Sequence, residues 1–388
     1  MKTLANHYGV LGVARSADPE TLRKAYRRLA RQHHPDVSSD PRSHDLMTRI
    51  NEAFETLMDP GRRDEYDALL SRGVLDEPEM PRYEGKRKPV LVRLAQRLKM
   101  HRTPIYGLAF TPGEGLLVST AFNNEIIWAD PITAGLHRKA RVDGSPISAI
   151  RNLTDDRLVA AGVAESQLSM WRLEAGDVRS WRTALTHWLS CLNISPDGQV
   201  IVGGGVDHQV SAWDTVTGKQ MFSHDDHSAS VTALAWSHDG KFLATGSADS
   251  SVKLRDGATG KVLHSFLGVR SAVTALDFSP NGQYIAAASV DYSVRVLRVG
   301  DGMLQKVMFG HTKPIETLDF HPNGWLFASG ARDGQVRLWN AAEGLGQLEI
   351  EASPLAISKV AFSPDGKLLA AAGLDKTVRL WSLDVKEG

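Results

Sequence analysis

Residues 231–268 read VTALAWSHDGKFLATGSADSSVKLRDGATGKVLHSFLG, and this stretch decides the fold of most of the chain. It holds four short apolar-alternating runs separated by tight-turn pairs such as Asp239-Gly240 and Thr259-Gly260, the pattern of four brief strands. The same stretch recurs. Asp/Asn-Gly turns begin at Asp197, Asp239, Asn281, Asn323 and Asp365, a constant interval of 42 residues. Asp207, Asp249, Asp291, Asp333 and Asp375 keep that interval, as do Trp213, Arg255, Leu297, Trp339 and Trp381. Two less regular units precede these, PIYGLAFTPGEGLLVSTAFNNEIIWAD (104–130) and PISAIRNLTDDRLVAAGVAESQLSMWRL (146–173), which brings the total to seven. A period of this length means repeated supersecondary units that bury their apolar faces against one another.

Seven units of four strands resemble the WD-repeat β-propeller family, and the resemblance implies seven blades around a channel. The dipeptide that names the family is intact only at Trp213-Asp214, and becomes Trp339-Asn340, Trp381-Ser382 or Arg255-Asp256 elsewhere. In the family the repeated Asp hydrogen-bonds a His from the preceding loop, with a hydroxyl and the Trp completing the set. His311, Asp333 and Trp339 match that set, while His227 and Asp249 lack the Trp; Asp207, Asp291 and Asp375 hold the same place in other units. Repetition from unit to unit points to buried hydrogen-bond satisfaction and away from catalysis.

The seventh unit ends at VRLWSLDVKEG with no outer strand after it, and a bare strand edge must be covered. Aligned on the repeat, VRLAQRLKM (92–100) falls in the outer-strand position, so residues 90–100 are expected to close the ring. Leu91, Leu94, Ala95 and Leu98 also fit an amphipathic helix. Trp188 aligns with Pro104, Pro146 and Pro314 in the loop entering the innermost strand, where propellers usually receive ligands. A large aromatic there serves either partner binding or packing on a neighbouring blade.

The first 70 residues follow a different rule. DPETLRKAYRRLAR (18–31) places Leu22, Ala25, Tyr26, Leu29 and Ala30 on one helical stripe, with Asp18 as its cap and Pro19 in its first turn. HDLMTRINEAFETLMD (44–59) is a second amphipathic helix and PGRRDEYDALL (60–70) a third. Arg23, Lys24, Arg27, Arg28 and Arg31 gather on the side opposite the first apolar stripe. Like charges at i, i+4 cost a few tenths of a kcal/mol each, so a basic face of this kind suits an acidic partner surface.

Four pieces in order, HYGVLGV (7–13), ETLRKAYRRLARQHHPD (20–36), INEAFETLMDP (50–60) and RRDEYD (62–67), resemble the J-domain of DnaJ-type co-chaperones. The resemblance implies that His34, Pro35 and Asp36, with Arg23, Lys24, Arg27, Arg28 and Arg31, contact a DnaK-type chaperone ATPase and stimulate it. The family usually has Lys-Tyr before the tripeptide; this chain has Gln32-His33, which weakens or redirects that contact.

The expected architecture is therefore multidomain: a small all-α J-domain-like helical hairpin over 1–71, a linker over 72–89, and an all-β seven-bladed propeller over 90–388. The 388 residues carry no net charge, yet residues 81–102 hold eight Lys and Arg against one Glu. A linker of this size spans on the order of 25 Å. Clustered Lys and Arg raise a nucleic-acid reading, which no base-stacking aromatic series accompanies. Cys191 stands alone, so no internal disulfide and no cysteine zinc site is expected. His33, His34 and His44 read as polar-loop side chains, not metal ligands, and no phosphate loop or nucleophile elbow marks an enzyme or a cofactor site. With no secretory h-region and no apolar run of membrane length, the expected address is cytoplasmic. The expectation is a co-chaperone whose propeller holds an unknown protein client or scaffold; the alternative is a propeller scaffold with an inactive J-like module.

Overall fold

A computed structural model describes residues 7–11, 13, 17–33, 43–71 and 90–385, apart from 155, 165–166, 175–176, 186, 267–268 and 342–344. The proposed linker, 72–89, lies outside the described residues. The chain divides into two compact units, residues 1–79 and 80–388.

The first unit contains α1 (His7–Leu11), α2 (Pro19–His33), α3 (Ser43–Met58) and α4 (Pro60–Ser71). Asp18 caps α2, its carboxylate accepting the Thr21 N–H at 2.7 Å, and Asp59 caps α4 through Arg62 N–H at 3.0 Å. The apolar stripes meet in one core of Tyr8, Leu11, Leu22, Ala25, Ile50, Ala53, Leu57 and Tyr66. Tyr26 stacks on Phe54 at 4.2 Å and donates its hydroxyl to Asn51 at 3.0 Å, joining α2 to α3.

The outlying motif pieces fasten the ends of this unit. Tyr8 donates its hydroxyl to Asp67 at 2.9 Å and accepts from Arg63 Nε at 3.0 Å, while the His7 N–H donates to Tyr66 Oη at 2.9 Å. Arg63 also donates to the Ala17 carbonyl at 2.7 Å, just before α2. The RRDEYD piece thus ties α4 to α1 and to the entry of α2, a structural duty that explains its residue types without any partner.

The second unit is a ring of seven four-stranded antiparallel sheets. The inner strands, Ile105–Phe110, Ile147–Asn152, Leu189–Ile194, Val231–Trp236, Val273–Phe278, Ile315–Phe320 and Ile357–Phe362, touch in sequence, and the last touches the first. These begin blades 1 to 7. Each Asp/Asn-Gly turn places its glycine in left-handed backbone, with φ of 69° at Gly198 and 70° at Gly240, where a Cβ would be strained. The Ser two residues before the Asp bonds it, as Ser237 Oγ to Asp239 at 2.7 Å, and accepts the Phe242 N–H at 2.9 Å. That local bonding is why the turn recurs so strictly.

Residues Val90–Leu98 are a strand, antiparallel to Val378–Val385 from the pair Val90–Val385 to the pair Leu98–Val378, with a bulge between Leu94 and Gln96. Val90 and Val92 pack on the core of blade 7 and Leu98 is buried, whereas Leu91 and Leu94 are left exposed. Of the four residues an amphipathic helix would have buried together, Leu91, Leu94 and Ala95 face water and only Leu98 is buried. Blade 7 is completed by a segment that precedes blade 1 in the chain.

Candidate functional site

In α2, Arg23 and Lys24 are exposed, and Lys24 Nζ lies 2.9 Å from Glu20 one turn earlier. Such an exposed pair contributes little to stability and leaves the lysine free to exchange partners. Arg27, Arg28 and Arg31 belong to the backbone of α2, but their side chains fall outside the described residues, as do His34, Pro35 and Asp36 altogether. α2 is described as far as His33, immediately before the tripeptide.

In the propeller, Trp188 stands before the inner strand of blade 3 with 65 % of its surface exposed. The tryptophan leaves about two thirds of its side chain open to water. Its carbonyl accepts the Val206 N–H at 2.8 Å, so the backbone beneath it is held.

The repeated aspartates occupy three kinds of bonding set. In blade 6, His311 Nδ1 lies 2.9 Å from Asp333 and its Nε2 2.6 Å from Ser329 Oγ, to which Trp339 Nε1–H donates at 2.7 Å. In blade 4, His227 lies 3.2 Å from Asp249 and 2.8 Å from Thr245, and the absent indole is replaced by Arg255, whose Nε–H donates to Thr245 at 3.1 Å. The guanidinium is fully buried and grips Asp226 with both terminal nitrogens, at 2.9 and 2.5 Å. In blades 5 and 7 no histidine answers the aspartate. Arg295 pairs with Asp291 at 2.7 Å and Arg379 with Asp375 at 2.6 Å, so the family pattern of a His partner does not extend to them. In blade 3, Asp207 has His187 at 3.3 Å.

Burial pushes the His227 imidazole down to about 4, against the pull of Asp249, and pushes His311 down as well. Asp249, though burial raises it, is held well below the usual carboxylate range by hydrogen bonds from Ser251 and Ser228. A neutral imidazole clamped between a carboxylate and a buried hydroxyl cannot reach a substrate; it is a fastener.

Two arrangements escaped the sequence reading. In blade 1, His101 lies 3.1 Å from Glu125 and 2.7 Å from Ser119, completing a set of the same kind. His101 stands three repeat lengths before His227, which could have revealed it, but the repeated Asp position holds Asn123 there and the acid comes two residues later. At the channel wall, Asp277 accepts the Phe320 N–H at 2.7 Å and Asp319 the Phe362 N–H at 2.6 Å, each reaching to the next blade. Burial pushes both carboxyls up, and Asp319 further through its neighbour Asp277.

Comparison with known proteins matches each region separately. Residues 6–67 match the DnaJ domain. Residues 179–214, 302–340 and 347–382 match the G-beta repeat of WD domains, and 216–281 match the WD40 domain of anaphase-promoting complex subunit 4. The N-terminal region is similar to the chaperone protein DnaJ of Acaryochloris marina, 51 % identical over 69 residues, 18 % of each chain. It is likewise similar to that of Prochlorococcus marinus strain MIT 9313, 46 % over 71 residues, 18 % of this chain and 19 % of the relative. The chain therefore spans about a fifth of the length of these curated relatives. The matched repeats each start in an outer strand and run through three strands of the following blade, so the repeat is one strand out of phase with the blade.

Proposed function

We propose, for a chain that joins an N-terminal DnaJ domain to a seven-bladed WD-repeat propeller, the role of a co-chaperone that recruits and stimulates a DnaK-type ATPase at proteins held by the propeller. The observation that carries this reading is the DnaJ match over 6–67, with its four pieces packed into one helical core. Partnership with DnaK-type chaperones is typical of J-domains. His34, Pro35 and Asp36 would present the contact, and Arg23, Lys24, Arg27, Arg28 and Arg31 would steer an acidic surface to it. The chain acts as an interaction protein, not an enzyme, and works in the cytoplasm. No helix among the described residues is long and apolar enough to cross a membrane.

The test is steady-state ATP hydrolysis by a DnaK-type chaperone from the same source, with wild-type chain and with His34→Gln or Asp36→Asn. Stimulation is expected from the wild type and its loss from both variants, with melting recorded alongside so that a loss of folding is told apart from a loss of contact. A second reading, a propeller scaffold with an inactive J-like module, is favoured by Gln32-His33 where the family has Lys-Tyr. Absence of stimulation by the wild type, with restoration by Gln32→Lys and His33→Tyr together, would select it.

A further inference from the structure

The strand that completes blade 7 also forms one wall of a cleft against blade 1. Gln96 donates to the Ile132 carbonyl at 2.9 Å and Leu98 packs with Ile105 and Leu108, so that face of Val90–Leu98 looks toward blade 1. Arg93 stands opposite Ser382 and Gln96 opposite Leu380, two places along the partner strand, so the bulge leaves both on that face. The other wall is the outer strand of blade 1, Leu136–Arg141, in which Lys139 and Arg141 share one side. Lys139 reaches Glu125 at 2.6 Å, and Glu125 also meets His101, from the segment that leaves Val90–Leu98, at 3.1 Å. That side therefore looks toward blade 7. Lys99 and Arg102 flank His101 in the connecting segment.

Residues 90–102 hold four Lys and Arg, residues 136–141 hold three, and neither segment holds an acid. The outer strands of blades 3, 4 and 6, Gln220–Asp225, Val262–Phe266 and Leu345–Glu351, have no Lys or Arg at all. Arg93, Lys99, Arg102, Lys139 and Arg141 are all exposed, and of these only Lys139 has an acidic partner among the described residues. The acids nearby do not answer them. Glu125 is held by Lys139 and His101, and Asp130 is turned onto the N–H groups of Ile132 and Thr133. Asp384 stands at the far end of the strand pair, across from Leu91, and beside Asp143 comes Arg182, which donates to its carbonyl at 3.1 Å. Like charges on facing strands repel, so ring closure alone would have mixed acids among them.

We propose that this cleft binds double-stranded nucleic acid by its phosphate backbone, without reading sequence. Phosphate contacts need cations and little else, whereas protein interfaces are depleted in lysine and centred on aromatic or aliphatic anchors. The exposed aliphatics of these walls, Leu91, Ile132 and Leu136, stand at the hairpin end, away from Lys99, Arg102 and Arg141. A lipid surface would ask for apolar side chains among the basic ones. Neither wall strand carries a Phe, Tyr or Trp, so a single strand would find no base-stacking platform. This binding stands apart from the co-chaperone reading.

The test is fluorescence anisotropy of the full chain with a fluorescein-labelled duplex of about 20 bp, as RNA and as DNA of one sequence, at about 50 and about 200 mM salt. Binding of at least one duplex is expected, falling steeply with salt and unchanged when the sequence is scrambled; which duplex binds names the source of the phosphates. Lys99→Gln, Arg102→Gln and Arg141→Gln together should weaken binding at least tenfold and lower the slope of log Kd against log salt by about 2 to 3, since each lost phosphate contact removes about 0.9. Lys99→Arg, Arg102→Lys and Arg141→Lys together should retain it, which separates charge from fold. Lys219→Gln, Lys241→Gln and Lys261→Gln, which remove the same charge from blades 3 and 4, should leave it alone. Failure of the wild-type chain to retain either duplex at the lower salt overturns the inference. So does binding that survives the cleft variant and is lost with Arg23→Gln and Lys24→Gln, or retention of phosphatidylserine vesicles or oligoglutamate in place of duplex.

Discussion

His227 shows how a residue that invites a catalytic reading works as a fastener, and its titration makes the fastening measurable. Its pKa in the fold, about 4, lies below its value of 6.5 in an unfolded chain. The stability it confers is therefore whole above pH 6.5 and is lost as pH falls through 4, by about 3 kcal/mol from this residue. His101 and His311 are shifted in the same direction by burial. The urea midpoint of the propeller should fall steeply between pH 6.5 and 4, and a flat profile there would refute the neutral-imidazole assignment. Asp277 has the opposite sign. Its carboxyl is raised by burial, so its contribution is present below pH 3.8 and drains away as pH rises. Asp277→Asn keeps an acceptor for the Phe320 N–H and should stabilise the protein at pH 8 while changing little at pH 4. The repeated aspartates were legible because their interval is constant. Their arginine partners were not, since Arg295 and Arg379 sit at strand positions where a long side chain needs no special reason, and Asp277 and Asp319 reach into a neighbouring blade that spacing within one repeat does not describe.

Among the elements, the strand Val90–Leu98 carries the clearest consequence. Its apolar pattern fits two periods, and the choice between them depends on whether an open edge waits elsewhere in the fold. The seventh repeat ends without an outer strand, and Val90, Val92 and Leu98 supply that strand's inward side. Deleting residues 1–75 should leave the cooperative melt of the propeller in place. Deleting residues 1–101 removes the buried Leu98 and the half-buried Val90 and Val92, together on the order of 4 kcal/mol of apolar burial, and bares the Val378–Val385 edge. The expected outcome is a melting temperature lower by on the order of 10 °C, with aggregation, in differential scanning calorimetry. Equal melts of the two truncations would sink the closure account. In the helical unit, the stripes of α2 and α3 were legible from spacing alone. The bonds from Arg63 and Asp67 to Tyr8 were not, because nothing in a local period announces a contact between residues more than fifty positions apart.

For the whole molecule, pairing the start of the ring to its end sets an order of events in time. Ser382 Oγ and the Arg93 carbonyl are joined although 289 residues separate them in the chain. At about 5–20 residues per second, translation leaves the first strand without its partner for roughly 15–60 s, and the last strand must clear the ribosome before the ring can shut. The helical unit, by contrast, is complete in sequence before any blade is made. Nascent chains stalled with residue 376 at the tunnel exit should resist protease over residues 1–71 yet be cut within 90–376, and release of the full chain should abolish that cutting. Protection of the stalled propeller would mean that blade 7 can do without its first-made strand. If the expected order holds, a newborn chain displays a finished J-domain for the better part of a minute while its own propeller is still open.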